Sequence, residues 1–290
     1  MGQIVMRCYL CDQPITQFRK GTVRDNTNLR IVECSSCGLV ALSSSDHIQP
    51  GHYENSGMHG GTISTIESLL RGAERDDNRR LEMLKEKIEN KSILDFGCGA
   101  AGFLCKAEKI ASMATGVEVE HRMLDYWKGR LPLHANLESV VDKFDLITAF
   151  HVIEHLLDPR TTLVELRSRL ADGGRVVVEV PNSEDALLSL YDCDAFQHFT
   201  YRSQHIFLFN SETLRRLAIQ AGYRVVAIQQ YQRYPLSNHL HWLARHKPNG
   251  HKNWSFLDSP IITQAYGDAL AAIGKCDTLI AHLECDNDCQ

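Results

Sequence analysis

From residue 91 onward, short apolar segments alternate with segments of helical periodicity. Runs such as LITAF and RVVVEV are almost continuously apolar, which is typical of strands covered on both faces of a parallel sheet. This alternation therefore predicts an α/β fold. The predicted strands are residues 92–96, 114–119, 144–150, 175–180, 224–229 and 277–283. The predicted helices are residues 103–110, 161–170 and 211–221, with Ser211 as the N-cap of the last and Asp172-Gly173-Gly174 closing the second.

The first predicted strand leads into a glycine turn, ILDFGCGAAGF, at residues 93–103. Gly97, Gly99 and Gly102 have the G-x-G-x-x-G spacing that lets a ligand approach the backbone where a helix begins. Dinucleotides and S-adenosylmethionine both bind such turns, and Asp95 distinguishes them. A carboxylate repels a diphosphate but attracts an ammonium group by a few kcal/mol at a protein-like dielectric. The sequence therefore predicts S-adenosylmethionine as the cofactor.

With this motif, Leu94-Asp95-Phe96-Gly97-Cys98-Gly99, residues 91–231 resemble the class I S-adenosylmethionine-dependent methyltransferases. The resemblance implies a seven-stranded Rossmann-like sheet whose last strand is antiparallel. It also implies that Glu118 in GVEVE holds the ribose hydroxyls, since a carboxylate can accept both diol hydrogen bonds. Asn136 in HANLE, with Leu137 beside it, would contact the adenine. The residues predicted to bind the cofactor are Asp95, Gly97, Cys98, Gly99, Gly102, Glu118, Val119, Asn136, Leu137, Phe150 and His151.

The HVIEH segment, residues 151–155, follows the strand predicted at residues 144–150. Its last two residues, together with Asp158-Pro159 downstream, resemble the family signature "EH…DP". His151, Glu154 and His155 would share one face of a helix, where they could bind a divalent metal or hold a base. Ubiquinone-biosynthesis O-methyltransferases, which this region also resembles, carry an acid where His151 stands and use the cluster for a metal. The other interpretation is that His155 is a hydrogen-bonded residue at the start of a helix. His151 lies where open α/β sheets place their ligands.

Residues 183–210 form an aromatic, histidine-bearing insertion, which is either a substrate lid or a loop packed on the core. The region resembles sugar C-methyltransferases of antibiotic pathways, whose Tyr-His-Glu-His run does acid/base work. Here the run is Arg202-Ser203-Gln204-His205, so the match is limited to His205, which is our best candidate for the base. The catalytic candidates are His151, Glu154, His155, Tyr201 and His205.

Two CxxC pairs near the N-terminus predict a zinc site. Cys8 with Cys11 and Cys34 with Cys37 have the spacing of four thiolates around one tetrahedral ion. Four thiolates leave no open coordination position, so the zinc would be structural and would supply folding free energy to a short segment. We assign residues 1–42 to this zinc ribbon-like module.

The remaining boundaries follow from composition. Residues 43–90 are a polar connector followed by N-terminal helices, and residues 91–231 are the cofactor-binding core with the insertion at 183–210. Residues 232–290 are a C-terminal excursion and the final strand. The excursion is rich in His, Trp and Asn, which suit sugar rings and hydroxyls. A solvated helical cap and a homodimer contact are equally compatible with it.

Charge and hydropathy exclude several classes of protein. The net charge is -5 and no basic stripe is present, so we expect no nucleic-acid partner. No apolar run reaches the ~20 residues that span a bilayer, and the N-terminus lacks the pattern of a signal peptide. These features predict a cytoplasmic protein without membrane insertion.

Together, these features predict a methyltransferase that acts on a sugar. The zinc module, the HVIEH and EVPN motifs and the His-x-x-x-Phe step resemble bacterial enzymes of surface-polysaccharide and deoxysugar biosynthesis. The expected substrate is therefore a nucleotide-linked sugar or glycan precursor, methylated on oxygen more readily than on carbon. The alternatives are a metal-assisted quinone-type O-methyltransferase, a nicotinamide-dependent oxidoreductase, and a non-catalytic module that recruits RNA or protein.

Overall fold

The computed structural model describes residues 6–55 and 64–286, so the two ends of the chain and the middle of the predicted connector lie outside the described residues. In chain order the strands are β1 (Gln17–Phe18), β2 (Ile31–Glu33), β3 (Val40–Leu42), β4 (Ser92–Phe96), β5 (Met113–Val117), β6 (Leu133–His134), β7 (Phe144–Phe150), β8 (Leu170–Pro181), β9 (Phe207–Leu208), β10 (Tyr223–Tyr231) and β11 (Thr278–Cys285). The helices are α1 (Ile66–Ile88), α2 (Gly102–Ala107), α3 (His121–Trp127), α4 (Pro159–Ser168), α5 (Ala186–Ser189), α6 (Asp194–Thr200), α7 (Ser211–Gln220), α8 (Leu236–Arg245), α9 (Gly250–Asn253) and α10 (Pro260–Ala272). Short 3-10 helices cover Ile153–His155 and Ser255–Leu257.

Seven strands form the central sheet, in the order β10-β11-β8-β7-β4-β5-β6. The pairs from β8 to β6 are parallel, whereas β11 is antiparallel to both of its neighbours, β8 and β10. This confirms the predicted seven-stranded sheet with an antiparallel last strand. The strand interiors are buried because helices cover both faces of the sheet, as the apolar runs in β7 and β8 predicted.

The N-terminal segment contributes three strands to a second, four-stranded sheet, in the order β1-β2-β3-β9. Its fourth strand, β9, comes from the predicted insertion and pairs with β3 through Val40–Leu208 and Ala41–Phe207. The insertion also contributes α5 and α6, which pack against each other. The N-terminal module and the insertion therefore form one structural unit, although they are far apart in the sequence.

Helix α1 packs across α2, directly beside the glycine turn. Thr65 caps its N-terminus by accepting a hydrogen bond from Ser68 N, and Leu84 and Ile88 bury its C-terminal half. Its middle turns bury charged residues instead, because Asp77 and Arg80 face the end of the central sheet. This helix thus brings charge to the edge of the sheet where ligands bind.

Two details differ from the sequence-based expectation. The Asp172-Gly173-Gly174 segment lies inside β8 and does not follow a helix, because Leu170 already pairs with Phe144 at a register shift. The N-cap of α7 is Asn210, not Ser211, because Asn210 accepts from Thr213 N in a capping box. The C-terminal excursion is mostly helical and forms α8, α9 and α10. Among the described residues, no helix has the length and apolarity needed to cross a membrane.

Candidate active site

The glycine turn after β4 leaves one of its glycines facing open space. The amides of Gly97 and Cys98 both donate to the carbonyl of Val117, at 2.8 and 3.0 Å, which ties the turn to the end of β5. Gly97 and Gly99 both have positive φ, 68° and 54°. A methyl group on Gly97 would lie 2.4 Å from Val152, whereas one on Gly99 would have no neighbour within 4 Å. A ligand can therefore approach the backbone at Gly99.

Glu118 follows β5 and lies beside this open space. Its carboxylate accepts hydrogen bonds from Gly99 N at 2.7 Å and from Glu120 N at 2.8 Å. Burial raises the pKa of the Glu118 carboxyl above its ordinary value. Val119, the next residue, is partly exposed. The carboxylate stands where a ligand on Gly99 would reach it, and its contact with ribose hydroxyls stays a prediction.

Asp95 ends the buried part of β4 and is only 3% exposed. Thr148 Oγ1 donates a hydrogen bond to its carboxylate at 2.7 Å. Burial raises the pKa of Asp95 to about 7, although that hydrogen bond and the positive charge of Arg80 act in the opposite direction. A cationic ligand stabilises the ionised form of such a buried carboxylate. Asp95 therefore fits the ammonium group of S-adenosylmethionine.

Glu179, near the end of β8, is in contact with the side chains of Arg79, Arg80 and His151. Arg79 Nη2 lies 2.8 and 2.7 Å from its two oxygens, and Arg80 Nη2 lies 2.7 Å from Oε1. His151 Nε2 lies 3.2 Å from the same Oε1. Burial opposes ionisation of Glu179, but the hydrogen bond from His151 and the charge of Arg80 outweigh it and hold its pKa far below the usual range. The edge of the sheet thus carries a buried network of paired charges.

This network retains hydrogen-bond donors without partners. Within the described residues, Arg79 Nε and Nη1 and Arg80 Nε are buried and have no acceptor. Arg80 lies 4.5 Å above the ring of Phe150, and a methyl group on Gly102 would touch the Asp77 carboxylate, so both residues of α1 are next to the turn. Buried donors normally have partners. The spare donors fit the carboxylate of the cofactor's amino-acid end.

His151 is held between two carboxylates. Its Nδ1 lies 3.1 Å from Glu154 Oε1, and its Nε2 lies 3.2 Å from Glu179. Burial lowers the pKa of His151, but its hydrogen bonds to Glu154 and Glu179 outweigh burial and raise it. Arg233 Nη1 lies 3.3 Å from the same Nε2. His151 therefore lies between two carboxylates and a guanidinium, and its role as a base stays a prediction.

Glu154, His155 and His205 come together beside His151. The segment at Ile153–His155 is a 3-10 helix, and the His155 Nδ1 donates to Gln204 O at 2.8 Å. The rings of His155 and His205 are 4.9 Å apart. One donor atom from each of the three residues lies within 4.8 Å of the others, and Glu154 Oε2 is buried without a partner in the described chain. These donors suit a divalent metal, with His205 in place of the predicted His151.

His205 itself is a neutral imidazole. Burial, together with the positive charge that His155 can carry, lowers the pKa of His205 to about 3. His205 also lines the cavity described next, so its ring can contact a bound molecule. Of the two histidine candidates that line the cavity, His151 and His205, only His205 has a lowered pKa. Its ring is uncharged at neutral pH and can accept a hydrogen bond from a hydroxyl, but a pKa of about 3 makes it a weak base until a bound molecule raises that pKa.

A cavity of about 330 Å³ lies over the ends of β7 and β8 and the start of β11. The insertion forms one wall, and α8 with α9 forms the other. Apolar, aromatic and polar groups are mixed along it, as in sites for small molecules. The lining includes His151, Asn182, Asp185, Phe196, Phe199, Arg202, His205, Arg233, Asn238, His239, Trp242 and Asp277.

Of the predicted site residues, only His151 and His205 line this cavity, and those that do not include Tyr201, Asn136 and Leu137. Tyr201 is 1% exposed and packs in the core between the N-terminal module and the insertion, so its proposed catalytic role has no support from its position. Asn136 is exposed, and its amide oxygen accepts from Ser139 N at 2.9 Å in a turn after β6. Leu137 is buried in the main core. The adenine contacts of Asn136 and Leu137 stay predictions.

The four N-terminal cysteines converge as predicted. Cys8 and Cys37 have their sulfurs 3.5 Å apart, as do Cys11 and Cys34, and all four sulfurs lie within 4.8 Å of one another. Zinc bonds of about 2.3 Å in a tetrahedron separate the sulfurs by about 3.8 Å. The four cysteines are therefore compatible with a structural zinc ion.

Sequence reasoning missed the charged residues that complete the site. Arg79 and Arg80 lie in a helix with both signs of charge, which is typical of a solvated surface. Arg233 donates through Nη2 to Asp76 at 2.5 Å and lies 3.3 Å from His151 Nε2. No local pattern shows that these residues meet Glu179 and His151, because their partners are about eighty or more residues away in the chain.

Comparison with known proteins supports the prediction of a methyltransferase. The methyltransferase domain family matches residues 71–228, more than half of the chain. The ubiquinone biosynthesis O-methyltransferase of Coxiella burnetii is 23% identical over 177 residues, 55% of this chain and 75% of that protein. The mitochondrial ubiquinone biosynthesis O-methyltransferase of Schizosaccharomyces pombe is 31% identical over 112 residues, 33% of this chain and 41% of that protein.

Among solved structures, a chain in the complex between the Trm112 methyltransferase activator of Haloferax volcanii and a methyltransferase has a similar fold. The TM-score is 0.50 at 14% identity, and the match covers 78% of this chain and 100% of that chain. The predicted alternatives of a nicotinamide-dependent oxidoreductase and a non-catalytic module have no such support. The chain belongs to the methyltransferase domain family, as a class I S-adenosylmethionine-dependent methyltransferase.

Proposed function

We propose that this methyltransferase methylates a hydroxyl oxygen of a small molecule bound in the cavity, with His205 taking the proton. The observation that carries the proposal is the position of the His205 ring in the cavity wall, next to the charged network that borders the cofactor turn. His151, at the junction of the two regions, lines the same cavity. A bound acceptor would therefore lie between a base and the cofactor.

When bound, S-adenosylmethionine supplies a methyl group on a sulfonium, which an oxygen nucleophile can displace. Asp95, Arg80 and Glu118 would hold its ammonium, carboxylate and ribose groups. The acceptor oxygen would bond to the methyl carbon as the carbon–sulfur bond breaks, and the free nitrogen of His205 would take the hydroxyl proton. The protein's main contribution is to align the acceptor and remove that proton.

For the acceptor, the proposal is a phenolic hydroxyl on a small ring, which is supported by the ubiquinone O-methyltransferases among the relatives. The donor set of Glu154, His155 and His205 supports the same chemistry. A divalent metal held there would lower the pKa of an acceptor hydroxyl. In that case His205 is a ligand and the hydroxyl loses its proton to water.

A sugar acceptor is the second candidate. It is favoured by the polar part of the cavity lining, which includes Asn182, Asp185 and Asn238 together with the ring of Trp242. Amide and carboxyl groups bind hydroxyls, and aromatic rings stack on the apolar face of a sugar. The polar lining would serve such a substrate without a metal.

The test is turnover of a labelled methyl donor with a panel of catechols and nucleotide sugars. His205→Asn should reduce kcat/KM at least ~100-fold. His246→Asn is the control, because His246 is exposed at the end of α8, away from the cavity. Loss of turnover in a mild chelator that leaves the thiolate zinc bound would identify His205 as a ligand, and unchanged turnover would identify it as the base. Activity of His205→Asn within about tenfold of the native protein would refute both roles.

A further inference from the structure

The N-terminal module reaches the wall of the cavity through one loop. The loop between β1 and β2 runs along residues 198–203 of the insertion, and three contacts fix this alignment. They are Thr22 Oγ1 with His198 Nδ1 at 2.9 Å, Arg24 N donating to Tyr201 O at 2.9 Å, and the Ser203 amide and hydroxyl donating to the two Asp25 oxygens at 2.8 and 2.9 Å. This arrangement carries Arg24 to the segment that lines the cavity.

Two arginines flank this part of the cavity wall. Arg24 stacks on the ring of Phe199, with its Cζ 4.2 Å from the ring centroid. Phe199 and Arg202 both line the cavity, and Arg202 is exposed, so it lies at the rim. Burial and the charge of Arg202 lower the pKa of Arg24, whereas the charge of Asp25 raises it.

Within residues 6–55 and 64–286, neither Arg24 nor Arg202 forms a side-chain hydrogen bond or an ion pair within 4 Å. The charge of the Asp25 carboxylate acts on both arginines, but this carboxylate accepts its hydrogen bonds from Ser203. Like charges placed together disfavour each other, and an anion between them removes this cost.

We propose that Arg24 and Arg202 form a subsite at the rim of the cavity that binds an acidic group, a carboxylate or a phosphate, of the acceptor. The proposal rests on the function proposed above and adds a charge to the acceptor. Guanidinium groups bind both anions through paired N–H donors. The N-terminal module thereby contributes a residue to substrate recognition.

The position of the subsite also constrains where the acidic group lies in the acceptor. Arg202 and His205 are joined by one turn, in which His205 N donates to Arg202 O at 3.1 Å. An acceptor with its acidic group on Arg202 therefore has its reacting hydroxyl a few bonds away, at His205. Two acids line the same cavity: Asp277 accepts hydrogen bonds from the amides of Arg233 and Tyr234, and burial raises the pKa of Asp185 to about 8.

The test measures anion binding directly on the full-length protein loaded with S-adenosylhomocysteine. Inorganic phosphate and malonate are titrated separately, with glucose as a neutral probe. We expect saturable binding of at least one anion, weakened about tenfold or more in Arg24→Gln and in Arg202→Gln. Arg30→Gln is the matched control, because Arg30 belongs to the same module and lies over Phe18, outside the cavity. The anion that binds more tightly identifies the acidic group.

Arg24→Lys keeps the charge and guards against a folding defect in Arg24→Gln. It should retain most of the anion affinity, and all variants should keep their zinc content and melting temperature. Absence of saturable binding of both anions, or equal affinity in the native protein and both glutamine variants, would overturn the subsite. If the protein binds S-adenosylhomocysteine and methylates neutral acceptors equally in these variants, the subsite fails and the proposed function stands. If it binds the anions but no S-adenosylhomocysteine, the proposed function fails instead.

Discussion

Replacing Gly99 by alanine should show whether this glycine is needed for cofactor binding and not for folding. The new methyl group has no neighbour within 4 Å, so the folded protein suffers only the strain of an L residue at φ 54°. That strain is about 1–2 kcal/mol, and each kcal/mol lowers the melting temperature by about 2–4 °C in a domain of about 150–250 residues. The methyl group would, however, occupy the space where the cofactor approaches the backbone. Overpacking of that kind costs about 1–3 kcal/mol, or about 5- to 150-fold in Kd.

Gly129→Ala is the matched control. Gly129 also has a positive φ, 73°, and a methyl group there also meets nothing within 4 Å, but it follows α3 outside the turn. Both variants should lose similar stability in thermal unfolding, and titration calorimetry with S-adenosylhomocysteine should show weaker binding in Gly99→Ala alone. Equal Kd values for the two variants would refute the argument that the cofactor lies against Gly99.

Three further predictions concern charge and metal. Burial raises the pKa of Asp95 to about 7, and the ammonium group of the ligand is attracted to the ionised carboxylate. The Kd for S-adenosylhomocysteine should therefore increase below pH 7, by at most about tenfold per pH unit. In Asp95→Asn, calorimetry from pH 5.5 to 8.5 should show no such dependence. Glu179→Gln should lower the free energy of unfolding in urea by about 3–5 kcal/mol at pH 7. Since the folded protein holds the pKa of Glu179 below its usual value, this contribution is complete above the unfolded pKa, and the difference should shrink as the solution is acidified below that value. Cys34→Ser should release zinc and raise the KM of the acceptor while leaving the Kd for S-adenosylhomocysteine within about twofold, because the zinc module supports the cavity wall through β3 and β9.

The central sheet could be predicted because its signals are local. The apolar runs of β4, β7 and β8 and the glycine turn each occupy a few consecutive residues. Their positions place Asp95 and Glu118 at one edge of the sheet, since parallel strands all end there. The cysteine pairs of the N-terminal module are likewise short motifs with a geometric meaning.

The rest of the site depends on contacts between distant parts of the chain. The surroundings of His151 could not be predicted, because its ring contacts Glu179, and Glu179 in turn pairs with two arginines of α1. Spacing in HVIEH suggested one helical face, yet the segment folds as a 3-10 helix and the third donor beside Glu154 and His155 comes from the insertion. A two-residue strand such as β9 has no periodicity from which to predict its pairing.

The pairing of β3 with β9 has a consequence for biosynthesis of the protein. During translation the N-terminal strands leave the ribosome long before Phe207 and Leu208 are made. One edge of β3 is therefore unpaired while the cofactor-binding half is synthesised. Open edges invite pairing with other chains, and early metal loading would hold this segment compact in the interval. A shortened protein lacking the first 42 residues would expose β9 in the same way. We therefore expect such truncations to aggregate, which makes this small segment a folding requirement and not a detachable domain.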